Sequence, residues 1–429
     1  MKSTNRRIAI TGLGVVSPLG NDVETSWRNL LAGESAIAPI TKFDASGFST
    51  KIAAEVKNFD IKNYCKNKKL LRYLYPSAQF ALAAATEALN DAGIKPENTT
   101  AANWGFVAGS GQNFVYFEDF KRLYQQTFLD KNIDVESIFA KAENFSSVPS
   151  FFRTTTNGTL GLLTNYFNIK GYINAVHTAC ASGGQALGLA ASVLRRGDVD
   201  YMLAGGYDSM INPTGLSGFC LLGALSEDND NFRQASRPFD LNRSGFVLGE
   251  GAAFMVLEPW DKAVARNAKI YAELAGEGNS LSSYRITDSH PSGDGAIQSI
   301  HGALKDANLS IDEIDYINAH GTSTKMNDLS ETNAIKAVFG KGAYQIPVSS
   351  NKSQVGHLIS AAGCLEGVFT TLSIYHEKTP MNMNLTTKDP DCDLDYVTDK
   401  VRDVPIRAAL SNSFGFGGSN SCIAFKKAN

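Results

Sequence analysis

The sequence predicts a duplicated α/β fold, in which two halves are each built from strands alternating with helices. Three observations lead there. A chain of 429 residues with 43% hydrophobic content is long enough for a core that normally divides in two. Short apolar runs of strand length alternate with amphipathic runs of helix length along the chain. A helix–strand unit also occurs twice. Ala88-Leu89-Asn90-Asp91-Ala92-Gly93-Ile94 precedes Trp104–Gly111, and about 215 residues later Ala303-Leu304-Lys305-Asp306-Ala307-Asn308-Leu309 precedes Ile314–Gly321. Solenoid repeats recur every ~20–50 residues, so this spacing fits a duplicated domain-sized unit instead. A chance match over so short a stretch fits it as well.

The elements follow in order. Ile8–Gly20 reads as a strand and turn, because Gly12, Gly14, Pro18 and Gly20 interrupt it; a signal peptide is not expected. The helices reaching Gly93 and Asn308 each stop at a residue suited to a left-handed cap. Residues 113–153 are rich in aromatics and charges, with helical spacing at Phe117, Phe120 and Tyr124, and read as an excursion from the sheet. Ile173–Val176 is strand-like, 182–196 helical, and Val199–Asp208 a buried strand. Phe254–Leu257 closes the first half, Trp260–Ala268 is helical, and Ile270–Leu274 begins the next strand set. The division is placed there, giving halves of residues 1–259 and 260–429. Ile406–Leu410 is a strand ahead of a Gly-rich loop.

Composition excludes several classes. Forty Lys+Arg against 43 Asp+Glu leave a net charge of −3, without the basic footprint of a nucleic-acid binder. No window is apolar over the ~18 residues that a membrane span requires. The six cysteines (65, 180, 220, 364, 392 and 422) show no CxxC spacing. Reduced thiols, a cytoplasmic location and no metal site are therefore expected.

Cys180 lies in His177-Thr178-Ala179-Cys180-Ala181-Ser182-Gly183-Gly184, between a strand and an Ala/Leu-rich helix. A thiol at a helix N-terminus is favoured as thiolate, and the same N–H groups can hold an oxyanion. The position equally fits a buried structural cysteine. Two of six histidines fall in Gly-rich turns: His320 in Asn318–Thr324, and His357 after Gly356. With Cys180 they could form a nucleophile and two donors, or be inert loop residues. Lys352 and Glu366 could pair near them or be a solvated surface pair. In Asn412-Ser413-Phe414-Gly415-Phe416-Gly417-Gly418 the glycines permit positive φ, giving a loop that donates N–H groups and moves, or a plain tight turn. It is not a dinucleotide fingerprint.

Together these segments resemble the β-ketoacyl-acyl-carrier-protein synthases, the elongating type II ketosynthases of the thiolase superfamily. The likeness runs from Arg7–Gly14 to Phe425-Lys426-Lys427, and Arg237-Pro238-Phe239-Asp240 with Gly249-Glu250-Gly251 adds to it. It implies the five-layered α-β-α-β-α thiolase fold. It also implies decarboxylative condensation of a Cys180-bound acyl chain with malonyl carrier protein, in fatty-acid or type II polyketide or polyene synthesis. His320 and His357 would stabilise the enolate, and the N–H groups of Cys180 and Phe416 would form an oxyanion hole. Lys352, Asp328 and Glu366 would support the histidines, while Phe414 and Phe416 would gate the site. Thr287, Thr322 and Thr324 would contact phosphopantetheine, which arrives on the acyl carrier protein, so no resident cofactor is implied. Because such carriers are acidic, Lys66, Lys68, Lys69 and Arg72 form a candidate docking patch. The resemblance implies a homodimer; the alternative is a heterodimer with a non-catalytic chain-length factor. Departures from the family pattern are the acidic Glu227-Asp228 near the pocket mouth, Ser244 before Gly245, aromatic Phe114, Tyr116 and Phe117, and Phe151–Thr156. These point to a dedicated carrier and a specialised pathway.

Overall fold

Ten strands form one sheet: β1 (Ile8–Val16), β2 (Trp104–Ser110), β3 (Ile173–Val176), β4 (Tyr201–Ser209), β5 (Glu250–Pro259), β6 (Ala272–Leu281), β7 (Ile314–Asn318), β8 (Val348–Ser349), β9 (Ala408–Phe414) and β10 (Ser419–Lys427). The computed structural model describes residues 6–111, 117–119, 121, 125 and 147–428. Phe114, Tyr116, Phe120 and Tyr124 of the aromatic excursion lie outside these. The strand order is 8-7-9-10-6-1-5-4-2-3. The first five strands run 3-2-4-5-1 and the last five 8-7-9-10-6, the same order with every label raised by five. Pairing directions repeat too. β2 is parallel to β3 and β4, as β7 is to β8 and β9, while β5 and β10 are antiparallel to both their neighbours. Identical topology removes the chance-match reading of the short sequence echo.

The two five-stranded portions meet only where Ala9 and Ile10 pair with Glu273 and Ala272. Helices cover both faces. The longer ones are α1 (Pro76–Asp91), α2 (Thr156–Tyr166), α3 (Ser182–Arg196), α4 (Asp294–Ala307), α5 (Lys325–Phe339) and α6 (Ala362–His376). α1 lies on β1, β4 and β5, and α4, with α5 behind it, lies on β6 and β10. α3 and α6 fill the middle, each touching strands of both halves. The layers are therefore α-β-α-β-α. Strands covered on both faces bury every residue, as in β1 and β5, which is why they read as continuous apolar runs. The left-handed caps fall where expected, with φ of 66° at Gly93 and 50° at Asn308.

The middle layer places the chemistry. α3 and α6 each follow a 3₁₀ turn, Ala179–Ala181 and Ile359–Ala361. Each turn opens on a non-glycine residue in left-handed backbone, φ 49° at Ala179 and 50° at Ile359. Such a conformation persists only when its surroundings impose it. Cys180 and Ser360 thus occupy equivalent positions. After His357 the chain enters α6 through this turn. The two helix starts touch through glycines: a Cβ on Gly183 would lie 2.8 Å from the Cys364 nitrogen, and one on Gly363 would lie 2.6 Å from the Gly184 nitrogen.

The seat of α3 against β2 is equally tight, since a Cβ on Gly109 would fall 2.6 Å from the Ser182 carbonyl carbon. Gly109→Ala should therefore cost about 1–3 kcal/mol in denaturant unfolding. Gly161, mid-helix in α2 with nothing within 4 Å of its missing Cβ, is the contrast. Gly161→Ala should stabilise by up to about 1 kcal/mol. Equal effects at the two positions would contradict this packing.

Candidate active site

Cys180 is buried on its 3₁₀ turn at the head of α3. The turn is clamped by Ser182, whose Oγ accepts from Thr178 N–H at 2.8 Å and donates to the Ala179 carbonyl at 2.7 Å. Burial pushes the thiol up to about 12, against the lowering pull of Lys352 and of the Phe416 N–H bonded to the sulfur. The expectation of a resting thiolate is corrected here. The helix N-terminus is present, but a desolvated anion costs more than it recovers. Burial thus favours the thiol over the thiolate at this position.

His320 follows β7 in a turn fixed by a carboxylate. Glu331 on α5 accepts from the His320 and Gly321 N–H groups at 2.9 and 2.8 Å and from Asn412 Nδ2 at 3.0 Å. Lys352 lies below, in the short helix Lys352–Val355. Its Nζ donates to the His320 carbonyl at 2.7 Å, lies 3.2 Å from His320 Nδ1, and is ion-paired with Glu366 of α6. The pair is buried, 1% and 3% exposed in its side chains, so the solvated-pair reading is set aside. His357 follows Gly356 (φ 67°), and its Nδ1 accepts from the Ile359 N–H at 3.2 Å. An imidazole that accepts at Nδ1 carries its proton on Nε2. Both rings are therefore neutral Nε2–H donors. Burial foremost, with the Lys352 charge adding to it, holds both well below the usual histidine range. His357 Nε2 is buried and bonds to no described group.

Cys180 Sγ and one ring nitrogen of each histidine lie within 4.8 Å of one another. They line a cavity of about 420 Å³ with Thr287, Thr322, Thr324, Phe414 and Phe416. Thr322 and Thr324 bond through their hydroxyls at 2.9 Å, and Thr287 is exposed at the mouth. Phe414 packs on His320, with ring centroids 5.7 Å apart, and is a wall of the site. Phe416 opens a 3₁₀ turn that carries left-handed Gly417 and Gly418. That loop is tied down, however: Gly417 N–H donates to the Ile286 carbonyl at 2.6 Å and Ser282 N–H to the Gly418 carbonyl at 2.7 Å. Phe416 can swing only if these bonds break or 282–286 moves with it.

Other sequence-predicted residues lie elsewhere. Asp328 touches neither histidine nor Lys352; it accepts from Phe239 N–H at 2.8 Å and sits 3.7 Å from Arg243. Glu331, three residues along the same helix, is the carboxylate that reaches His320. The sequence alone does not say which of these two acids on one helix faces the turn. Lys66, Lys68, Lys69 and Arg72 are exposed on and around the short helix Lys68–Leu71, and none lines the catalytic cavity. Asp228 is not a free rim charge, because it pairs with Arg237, whereas Glu227 is exposed. A Cys-His-His set of this size could also hold a soft divalent cation.

The fold and this constellation define a condensing enzyme. Residues 5–263 match the family model for the β-ketoacyl synthase N-terminal domain, and 271–386 that for the C-terminal domain. The chain belongs to the β-ketoacyl synthase family. It is 41% identical over 424 residues to 3-oxoacyl-[acyl-carrier-protein] synthase 2 of Coxiella burnetii, covering 98% of this chain and 99% of that one. The Synechocystis protein of the same name is also 41% identical, with 98% of each chain covered. Among solved structures, a type II polyketide ketosynthase in complex with its acyl-carrier protein and bound to the hexaketide superposes with a TM-score of 0.88 at 33% identity, covering 99% of this chain and 100% of that one. The ishigamide ketosynthase/chain length factor does so with a TM-score of 0.88 at 31%, with the same coverage.

Removing one member of a buried ion pair costs about 3–5 kcal/mol, whereas replacing both with apolar groups is often neutral. Lys352→Met should therefore destabilise by about that amount in denaturant unfolding, and Lys352→Met with Glu366→Leu should recover most of it. A double variant as unstable as the single one would show that the pair is not the relevant unit.

Proposed function

We propose that the chain is a β-ketoacyl-acyl-carrier-protein synthase in which Cys180 carries the growing acyl chain. The observation that carries this is a buried thiol facing two neutral imidazole donors in one cavity. In the first half-reaction the Cys180 sulfur attacks the thioester carbonyl of an acyl carrier. A new C–S bond forms, the old one breaks, and the carrier thiol leaves with the proton Cys180 gave up. The negative oxygen formed in between is held by the N–H groups of Cys180 and Phe416. In the second, malonyl carrier protein loses CO₂ and the electron pair passes to its thioester oxygen as an enolate. The Nε2–H groups of His320 and His357 stabilise that oxygen without reorganising. The enolate carbon attacks the acyl-Cys180 carbonyl, a C–C bond forms, the C–S bond breaks, the Cys180 sulfur takes up a proton from solvent to return to the thiol, and 3-oxoacyl carrier protein leaves. Lys352, held by Glu366, orients His320, while Asp328 shapes the cavity wall around Thr322.

No metal or resident cofactor is required on this reading, because the two Nε2–H groups supply the positive end that a Lewis acid would. Thr287, Thr322 and Thr324 receive the phosphopantetheine arm, and Lys66, Lys68, Lys69 and Arg72 meet the acidic carrier. Edge strand β3 exposes Ile173, and Val148, Phe151 and Phe152 are exposed apolar residues close in sequence, which suits pairing with a second subunit. That subunit is a second copy, or a chain-length factor as in the ishigamide assembly. Division after Pro259 gives each half one complete five-strand set. No described helix is long and apolar enough to cross a membrane, and all six cysteines are free thiols, which suits the cytoplasm.

The histidines and the thiol should separate experimentally. Cys180→Ser should lose acylation by intact mass. His320→Ala and His357→Ala should still acylate but release CO₂ from malonyl carrier protein at least 100-fold more slowly, in line with the loss of roughly one oxyanion donor. An acyl group found on Cys220 or Cys364, or CO₂ release at the wild-type rate in either histidine variant, would overturn the assignment.

A further inference from the structure

A second cavity, of about 800 Å³, lies beyond the apolar cluster that packs on Cys180. Ile211 belongs to that cluster together with Cys180, Met210 packs against it, and both line the cavity, so the cavity and the sulfur share an apolar wall. The lining is not that of a plain alkyl slot. Phe43 and Phe48 meet edge to face with centroids 5.9 Å apart, and Tyr75 adds a third aromatic ring. Such rings gain from a flat π-surface beyond what area burial alone supplies.

Lys42 stands in the same wall, ion-paired to Glu250, whose side chain is 0% exposed. Glu250 also accepts from Val56 N–H at 2.9 Å and Ser209 Oγ at 2.7 Å. That fixes the carboxylate, and with it the ammonium, at the cavity surface. An ammonium has three donors, and Glu250 takes one of them. A saturated chain would strip water from this group and return no hydrogen bond, whereas a hydroxyl or oxo group would return one.

We propose that the chain carried on Cys180 has a conjugated or aromatic surface and a polar oxygen toward its far end, the rings recognising the first and Lys42 the second. This rests on the reading of Cys180 as the acylated residue. The test is intact-mass acylation of the full chain by pantetheine thioesters of octanoate, cinnamate and 4-hydroxycinnamate. Rates should rise in that order, about fivefold to tenfold overall, the size of one ring contact plus one hydrogen bond. Phe48→Leu should collapse the cinnamoyl-to-octanoyl ratio toward one, and Lys42→Met the hydroxycinnamoyl-to-cinnamoyl ratio. Since Lys42→Met strands Glu250, Lys42→Met with Glu250→Gln carries the same test if the single variant does not fold. Octanoyl transfer as fast as hydroxycinnamoyl transfer, or ratios unmoved by both substitutions, would overturn the proposal. Failure of every thioester to acylate Cys180 would instead remove the reading on which it rests, and the proposal with it.

Discussion

Much of the site depends on one buried ion pair. Lys352 and Glu366 come from different elements, are shut away from water, and meet directly beneath His320. A pair of this kind adds little net stability, because its desolvation offsets its attraction. What it supplies is position and sign. The ammonium reaches both the carbonyl and Nδ1 of His320, which fixes the proton on Nε2. Its charge also discourages protonation of either imidazole. Both rings are thereby kept as neutral donors in the pocket that holds the Cys180 thiol.

Duplication explains how that pocket arises. Each half begins its central helix from the same strained turn, and glycines let the two helix starts meet. One turn carries Cys180. Its counterpart carries Ser360, and the Ile359 N–H of that turn sets the tautomer of His357. The halves have therefore divided one piece of backbone geometry between two tasks. Cys180 comes from one half and both imidazoles that face it from the other.

Much of this was legible in the sequence. The helix–strand echo announced the repeat, helix 182–196 matches to the residue, and the glycines beside His320 and His357 marked their turns. What sequence could not give were quantities set by burial and by contacts between distant segments. A helix N-terminus is visible at Cys180, but the desolvation that keeps the thiol protonated is not. Asp328 and Glu331 look interchangeable on one helix until the turn bearing His320 is seen to dock on the second. Asp228 reads as a free charge until Arg237 is found beside it. The ring-lined cavity joins residues near 43, 75 and 210, which nothing local connects.

The central claim, that His320 and His357 are held as neutral Nε2–H donors, is open to direct measurement. Nitrogen-15 NMR of the histidine-labelled protein distinguishes neutral Nε2–H, neutral Nδ1–H and doubly protonated rings. Because burial and Lys352 lower both groups, their signals should remain those of neutral Nε2–H rings from pH 8 down to about pH 5, well below the ~6.5 of a free histidine. Either ring titrating near 6.5, or carrying its proton on Nδ1, would contradict the account.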